Sequence, residues 1–429
     1  MAALLGCIAD DFTGATDLAG MLQQAGMRTI QIIGVPTSPL SAGLDADAIV
    51  IALKTRTAPV QQAIDDSKAS LKWLQAAGCR QMYFKYCSTF DSTAEGNIGP
   101  VTDALMETIG TDFTIACPAF PENQRTVYKG HLFVGNALLA ESGMRDHPLT
   151  PMTDSNLVRV LQAQTRGLVG LIEHSIVAAG TEAIRREIRR LRGQGVKTAI
   201  VDAICNADLI QIGAACSDLP MVTAGSGLAI GIPQNFIGQG SLSPMNPAVD
   251  PTPATSGLRA ILSGSCSQAS QAQLNDLLSR GIPGFALDPL VLASSDTALE
   301  SVVNEVMAWV APRLESGPVV IYATAAVDKV KQIQSVLGAE RAGAVVETAL
   351  AAIAGRLIEL GVRQLIVAGG ETSGAVVTAL NIDRLQIHRQ IDPGVPWTVS
   401  LNKPSVALAL KSGNFGSVDF FTKAWDSAP

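Results

Sequence analysis

The sequence predicts an α/β fold of two domains, each with a mainly parallel sheet flanked by helices. Three observations predict it. Short aliphatic runs alternate with longer stretches of helical spacing almost from end to end. The 429 residues exceed what one core usually serves. A single Pro/Ser/Asn-rich stretch interrupts the alternation, about midway.

Taken in order, Leu4 to Ala9, Thr29 to Ile33, Ala48 to Leu53, Met82 to Tyr86 and Phe113 to Cys117 read as buried strands. Between them, Gln61 to Ala76 and Ile98 to Ile109 carry apolar residues at helical spacing. Such alternation argues for a parallel sheet with helices on its faces. The rhythm continues with Val169 to Ile172, a basic helix through Arg185 and Arg192, and Lys197 to Asp202. From about Ile232 to Gly257 the composition turns to Pro, Ser, Asn and Gly without an apolar period, which predicts a linker over 236–256. Domains of 1–235 and 257–429 follow from it. In the second, Leu258 to Leu262, Pro318 to Tyr322, Gln364 to Ala368 and Val406 to Leu410 are predicted strands. Asp296 to Ala311 and Ala342 to Leu360 are predicted helices.

Composition excludes several classes. With 47% hydrophobic and 16% charged residues the chain is not a disordered one. Its 31 basic against 38 acidic residues exclude nucleic-acid binding by bulk charge, and no basic block restores it locally. No apolar run approaches the ~20 residues of a membrane span, and Met1-Ala2-Ala3-Leu4 lacks the start of a signal peptide. The expectation is a cytoplasmic protein without membrane or nucleic-acid partners. The seven cysteines show no C-x-x-C and the four histidines no ligand spacing, so no disulfide framework or dedicated metal centre is expected.

The first strand ends in Asp10-Asp11-Phe12-Thr13-Gly14-Ala15-Thr16-Asp17 and runs onto an amphipathic helix. Ligands of open α/β sheets bind beyond the carboxyl ends of the strands. A helix cap explains one acidic residue there, not three. Asp10, Asp11, Thr13, Gly14 and Asp17 are therefore read as a site for a polar ligand. Other strand ends add Lys54-Thr55-Arg56, then Lys85 to Ser92, then Pro118 to Arg125. They predict Lys54, Arg56, Lys85 and Arg125 on one edge of one sheet, suited to a carboxylate or phosphate. Ser88, Thr89 and Asp91 are placed to hold sugar hydroxyls.

In the second half, Gly369-Gly370-Glu371-Thr372-Ser373-Gly374 opens a helix after a strand. Ser263-Gly264-Ser265 and Lys411-Ser412-Gly413-Asn414-Phe415-Gly416 follow two other strands. Glycine turns of this kind expose backbone N–H groups to phosphate, and three of them point to a nucleotide. Ser263, Ser265, Gly369, Gly370, Glu371, Thr372 and Gly413 are its predicted contacts. The P-loop, the protein-kinase motifs and the nucleophile elbow are absent. Gly225-Ser226-Gly227 begins a dinucleotide fingerprint that breaks at Ile230.

These residues resemble the four-carbon acid sugar kinases. The resemblance rests on Ile8 to Asp17, Lys54-Thr55-Arg56, Lys85 to Ser92, Asp146 to Met152, Gly369 to Gly374 and Gly413 to Gly416, in order along nearly the whole chain. Thr153-Asp154-Ser155-Asn156-Leu157 is most similar to the branch acting on 3-oxo-tetronates, with threonate and erythronate branches as near alternatives. The resemblance implies a sugar-acid-binding N-terminal domain, an ATP-binding C-terminal domain and an active site in the cleft between them. It implies transfer of phosphate to a C4 hydroxyl, with Mg²⁺ bridging the nucleotide phosphates. Such chemistry needs positioning, charge neutralisation and a carboxylate to accept the proton. Asp11 or Asp10 is the expected base, with Asp91 behind them, and Lys54, Arg56 and Lys85 the expected anion binders. An NAD-linked dehydrogenase and a non-catalytic sugar-acid binder are the rival readings, and self-association stays open.

Overall fold

The computed structural model describes residues 3–38, 46–147, 149–243, 255–295 and 297–429. The chain divides into two compact units, Met1–Val249 and Asp250–Pro429.

The first unit opens with β1 (Leu5–Ala9), whose five residues are all buried, as a strand covered on both faces requires. Asp11 caps the helix Phe12–Gln24 by accepting from Gly14 N–H. Then come β2 (Thr29–Ile33), β3 (Ala48–Ala52), helix Val60–Ala76, β4 (Gln81–Lys85), helix Ile98–Ile109 and β5 (Thr114–Cys117). A small antiparallel sheet of β6 (Arg125–Tyr128), β7 (His131–Val134) and β8 (Ala137–Leu138) interrupts the alternation. It resumes with β9 (Leu168–Ile172), helix Thr181–Gly193, β10 (Val196–Val201), helix Asn206–Ala215 and β11 (Met221–Ala224). The main-sheet strands described here run parallel in the order β2-β3-β1-β4-β11-β5-β10-β9. In helix Thr181–Gly193, Ala183, Ile184, Ile188 and Leu191 are buried while Arg185 and Arg190 pair with Glu182 and Glu187. The basic run is a solvated face.

The second unit contains β12 (Leu258–Ser263), helix Gln268–Ser279, β13 (Gly284–Ala286), helix Ala298–Val310, β14 (Val319–Tyr322), helices Val327–Leu337 and Ala339–Glu359, and β15 (Val362–Ala368). Helix Gly370–Ala379, β16 (Arg384–Asp392), β17 (Val395–Ser400) and β18 (Ala407–Lys411) follow. The order is β13-β14-β12-β15-β18-β17-β16, with the first five strands parallel and β17 and β16 antiparallel. Trp397, Phe420 and Phe421 anchor one face, and Trp397 Nε1 donates to Ala424 O at 2.8 Å.

Of the predicted linker, residues 244–254 lie outside the described residues, as do Pro148 and Asp296. Pro233–Gly238, at the predicted linker's edge, forms a short helix with its proline in the first turn, where the missing N–H costs nothing. Among the described residues no helix is long and apolar enough to cross a membrane.

Candidate active site

In the first unit, strand register sets the site. Ala9 of β1 lies level with Ala52 of β3 and Lys85 of β4, and Lys85 with Ala224 of β11. The chain goes to β3 on one side of β1 and to β4 on the other, which opens a crevice beyond the strand ends. Backbone bonds tie the loops together: Asp10 N–H donates to Lys85 O at 3.1 Å, while Thr55 and Arg56 N–H donate to Asp10 O at 3.0 and 3.2 Å.

Arg56 is the hub. Its Nε and Nη2 donate to the two oxygens of Asp10 at 2.9 and 2.8 Å, and Nη2 reaches Asp11 Oδ1 at 2.6 Å. Nη1 lies 3.6 Å from Asp91 Oδ2. Lys85 Nζ donates to Asp11 Oδ1 at 3.3 Å, and Thr13 Oγ1 and Gly14 N–H donate to Asp11 Oδ2 at 3.0 and 3.2 Å. Thr89 Oγ1 donates to Asp91 Oδ1 at 2.6 Å. Asn97, which the sequence did not single out, precedes helix Ile98–Ile109 without capping it through its side chain. Its Nδ2 instead donates to Thr55 O and Ala58 O at 2.7 and 2.9 Å, which holds the Arg56 loop in place.

Burial raises the energy of every charge in this cluster, and pairing decides which survive. Burial opposes ionisation of Asp11, but Arg56, Lys85, Gly14 N–H and Thr13 together hold its carboxyl well below the usual range. Burial also disfavours the Lys85 ammonium, and Asp11 and Asp10 more than restore it. At Asp10 burial prevails over Arg56 and the pKa is raised. Asp17 is the exception. Burial pushes it up to about 7, against the attraction of Lys85, with Asp11 and Glu122 adding repulsion. The Ser226 hydroxyl beside it draws the carboxyl back down in part, without offsetting the burial.

Exposure then separates roles. The Asp11 side chain keeps 24% of its surface against 8% for Asp10 and 9% for Asp91. The space beside Asp10, Arg56 and Asp91 is about 10 Å³, room for at most a water. Ser88 is buried and Lys54 exposed. Arg125 departs from the predicted shared edge, because it begins β6 on the separate antiparallel sheet. It lines an open pocket of about 420 Å³ with Glu122, Asn123, Gln124, Val134 and Gly135. Arg125 Nε and Asn123 Nδ2 are buried there without partners.

In the second unit, Ser263 of β12 lies level with Ala368 of β15, and Ala368 with Lys411 of β18. The three glycine turns therefore stand side by side around a cavity of about 340 Å³. Ser265, Gly369, Gly370, Glu371, Thr372 and Gly413 line it. Ser263 does not. Its fully buried hydroxyl pairs with Thr324 Oγ1 at 2.7 Å. Nor are all the glycine-turn amides available: Gly264 and Ser265 N–H donate to Ala368 O, and Gly369 N–H to Lys411 O at 2.8 Å. The amides left for a ligand include those of the first turn of helix Gly370–Ala379, among them Gly370 and Thr372, and that of Gly413. Gly369, at φ +128°, makes the turn into that helix. The opposite wall is apolar, with Pro289, Val330, Ile333, Ala342 and Val346. Sequence spacing did not single that wall out, because apolar helix faces look alike whether they meet a core or a ligand.

Residues 5–232 match the family model of a sugar-binding N-terminal domain and residues 260–421 that of a nucleotide-binding C-terminal domain. Fold and sites thus define a two-part α/β protein with one sugar-binding and one nucleotide-binding unit. The chain belongs to the four-carbon acid sugar kinase family. A 3-oxo-tetronate kinase of Pseudomonas fluorescens is 58% identical over 98% of this chain and 96% of its own. One from Salmonella typhimurium LT2 is 47% identical over 98% of each. Among solved structures, a Salmonella typhimurium LT2 protein described as a tRNA synthase superposes with a TM-score of 0.88 at 46% identity, covering 99% of both chains. A Haemophilus influenzae protein superposes at 0.77 with 42% identity, over 98% of this chain and 99% of its own.

Proposed function

We propose that the chain is an ATP-dependent kinase that phosphorylates the C4 hydroxyl of 3-oxo-tetronate, yielding 3-oxo-tetronate 4-phosphate, in sugar-acid catabolism. The observation that carries this reading is the likeness to 3-oxo-tetronate kinases along 98% of the chain, which takes in both strand-end clusters.

The sugar acid sits at the strand ends of the first unit. Arg56 and Lys85 are already matched by Asp10, Asp11 and Asp91, so a substrate carboxylate meets less repulsion at Arg125, whose Nη1 donates to Asn123 O but whose Nε, like Asn123 Nδ2, lacks a partner among the described residues. Asp11, the most open carboxylate of the cluster, faces the reacting hydroxyl. Held so far below the usual range it is a weak base, so it orients the hydroxyl and takes the proton late. A loose phosphoryl transfer tolerates that. Lys85 neutralises charge on the transferring group.

ATP lies in the cavity of the second unit, its base against Val330, Ile333 and Val346 and its phosphates on the amides of Gly370, Thr372 and Gly413. Glu347, Glu371 and the Thr372 hydroxyl supply the hard oxygen donors that suit Mg²⁺. Bound there with the phosphates, Mg²⁺ would neutralise their charge. Among the described residues no group of three His, Cys, Asp or Glu side chains is placed to hold a metal ion.

The test is ADP release from ATP across a panel of four-carbon sugar acids. Highest kcat/KM is expected for 3-oxo-tetronate. A higher value for threonate or erythronate would move the substrate within the family, and ADP release with none of them would overturn the reading.

A further inference from the structure

Lys411 is wholly buried, yet no carboxylate among the described residues pairs with it. Its Nζ is surrounded by Ser412 O at 2.9 Å, Gly413 O at 2.9 Å, Phe415 O at 3.1 Å and Ser270 Oγ at 3.2 Å. Helix Gln268–Ser279 pulls on the same carbonyls. Ser267 Oγ and Ser270 Oγ donate to Gly413 O at 2.6 and 3.0 Å, and Gln273 Nε2 donates to Phe415 O and Gly416 O at 3.0 and 2.9 Å. The turn after β18 therefore has its carbonyls directed inward.

A planar trans peptide points its C=O and N–H in opposite directions. With the carbonyls of Ser412, Gly413 and Phe415 held on Lys411, the N–H groups of Gly413, Asn414 and Gly416 face the other way. None of these three has an intramolecular acceptor among the described residues. Gly413 forms part of the cavity wall. A Cβ on it would meet Ser265 Oγ at 2.5 Å, so a larger residue would have to push that hydroxyl aside. The result is a turn whose outward amides, that of Gly413 at the cavity wall, are backed by a buried amine.

We propose that Lys411 is a positioning residue: its ammonium locks the Ser412–Gly416 turn so that the outward amides bind the nucleotide phosphates. This rests on the assignment of the cavity to ATP. Burial holds the amine down to about 7. A polyphosphate on the far side of the turn supplies the counter-charge the protein withholds, and the fixed amides are a preorganised anion nest. Sequence reading assigned the glycines of this turn to phosphate. The lysine before them stood only as the first residue of that turn, with no role of its own.

The test uses the full chain, with ADP as the probe. Lys411→Met should weaken ADP binding at least tenfold by calorimetry while KM for the sugar acid stays within twofold, a split that general destabilisation would not produce. In the wild-type chain, hydrogen exchange across 412–416 should slow on adding ADP. ADP affinity unchanged in a folded Lys411→Met, or exchange across 412–416 unaffected by ADP, overturns the proposal. The exchange measurement needs no variant, so it decides the matter even if Lys411→Met fails to fold. A wild-type chain that binds ADP with these properties but phosphorylates no four-carbon acid would overturn the functional reading alone.

Discussion

The ammonium of Lys85 occupies the place a side chain on Gly14 would need: a Cβ there would lie 1.7 Å from Lys85 Nζ and 2.2 Å from Asp11 Oδ1. The lysine comes from β4 and the glycine from the first turn of the helix after β1. Their contact locks the charge cluster onto the helix that Asp11 caps. Gly14→Ala should expel the ammonium and remove a charge-assisted contact of ~1.5–3 kcal/mol, lowering kcat/KM for the sugar acid roughly 10- to 150-fold. The dissociation constant for ADP should not change, because its site lies in the other unit. A fully active Gly14→Ala would show that Lys85 is dispensable there.

Asp11 is the carboxylate proposed to face the hydroxyl. Loss of a general base typically lowers rates by about 10²–10⁴, so Asp11→Asn should reduce kcat by at least the lower figure with ADP binding intact. Steady-state kinetics beside calorimetry tests this. Near-normal kcat in Asp11→Asn, with Asp10→Asn or Asp91→Asn inactive, would transfer the role to the buried pair.

Asp17 should set a pH dependence of stability. Its folded pKa of about 7 lies above the unfolded value of roughly 3.9. The folded chain therefore holds a proton that the unfolded chain has released, and stability falls as pH rises between those two values. Asp17→Asn lacks this loss. Its unfolding free energy in urea relative to wild type should climb from pH 4 to pH 7 and level off by pH 8, by about 4 kcal/mol at most. A difference independent of pH would mean that Asp17 is ionised throughout.

Arg125 is the proposed partner of the substrate carboxylate. Arg125→Met should lower kcat/KM for the acid roughly 10- to 150-fold and leave a neutral four-carbon sugar, already poor, unaffected. If Arg56→Met instead produces the charge-selective loss, the carboxylate binds at the strand-end cluster.

Gly369 combines a φ of +128° with a close neighbour, since a Cβ would lie 2.9 Å from Thr372 Oγ1. Gly369→Ala should shift the turn and raise KM for ATP roughly tenfold or more. KM for the sugar acid should stay within twofold. Equal changes in both would place the nucleotide elsewhere.

By itself the sequence determined the alternation of strands and helices, because burying a parallel strand on both faces demands continuous aliphatic runs such as Leu5–Ala9 and Ala48–Ala52. It also determined that Asp10 and Arg56 follow strand ends and that Lys85 stands at one, since polar residues at the close of such runs mark where the sheet stops. Their mutual pairing, the isolation of Arg125 on its own sheet and the burial of Ser263 were decided by the tertiary structure. So were the commitment of Gly369 N–H to Lys411 O and the carbonyl cage around Lys411. The physical reason is range. Apolar periodicity is written over neighbouring residues, whereas register brings together groups 45 or 46 positions apart, as with Arg56 and its two aspartates. Only there do desolvation and pairing decide which charges are neutralised and which amides remain for a ligand.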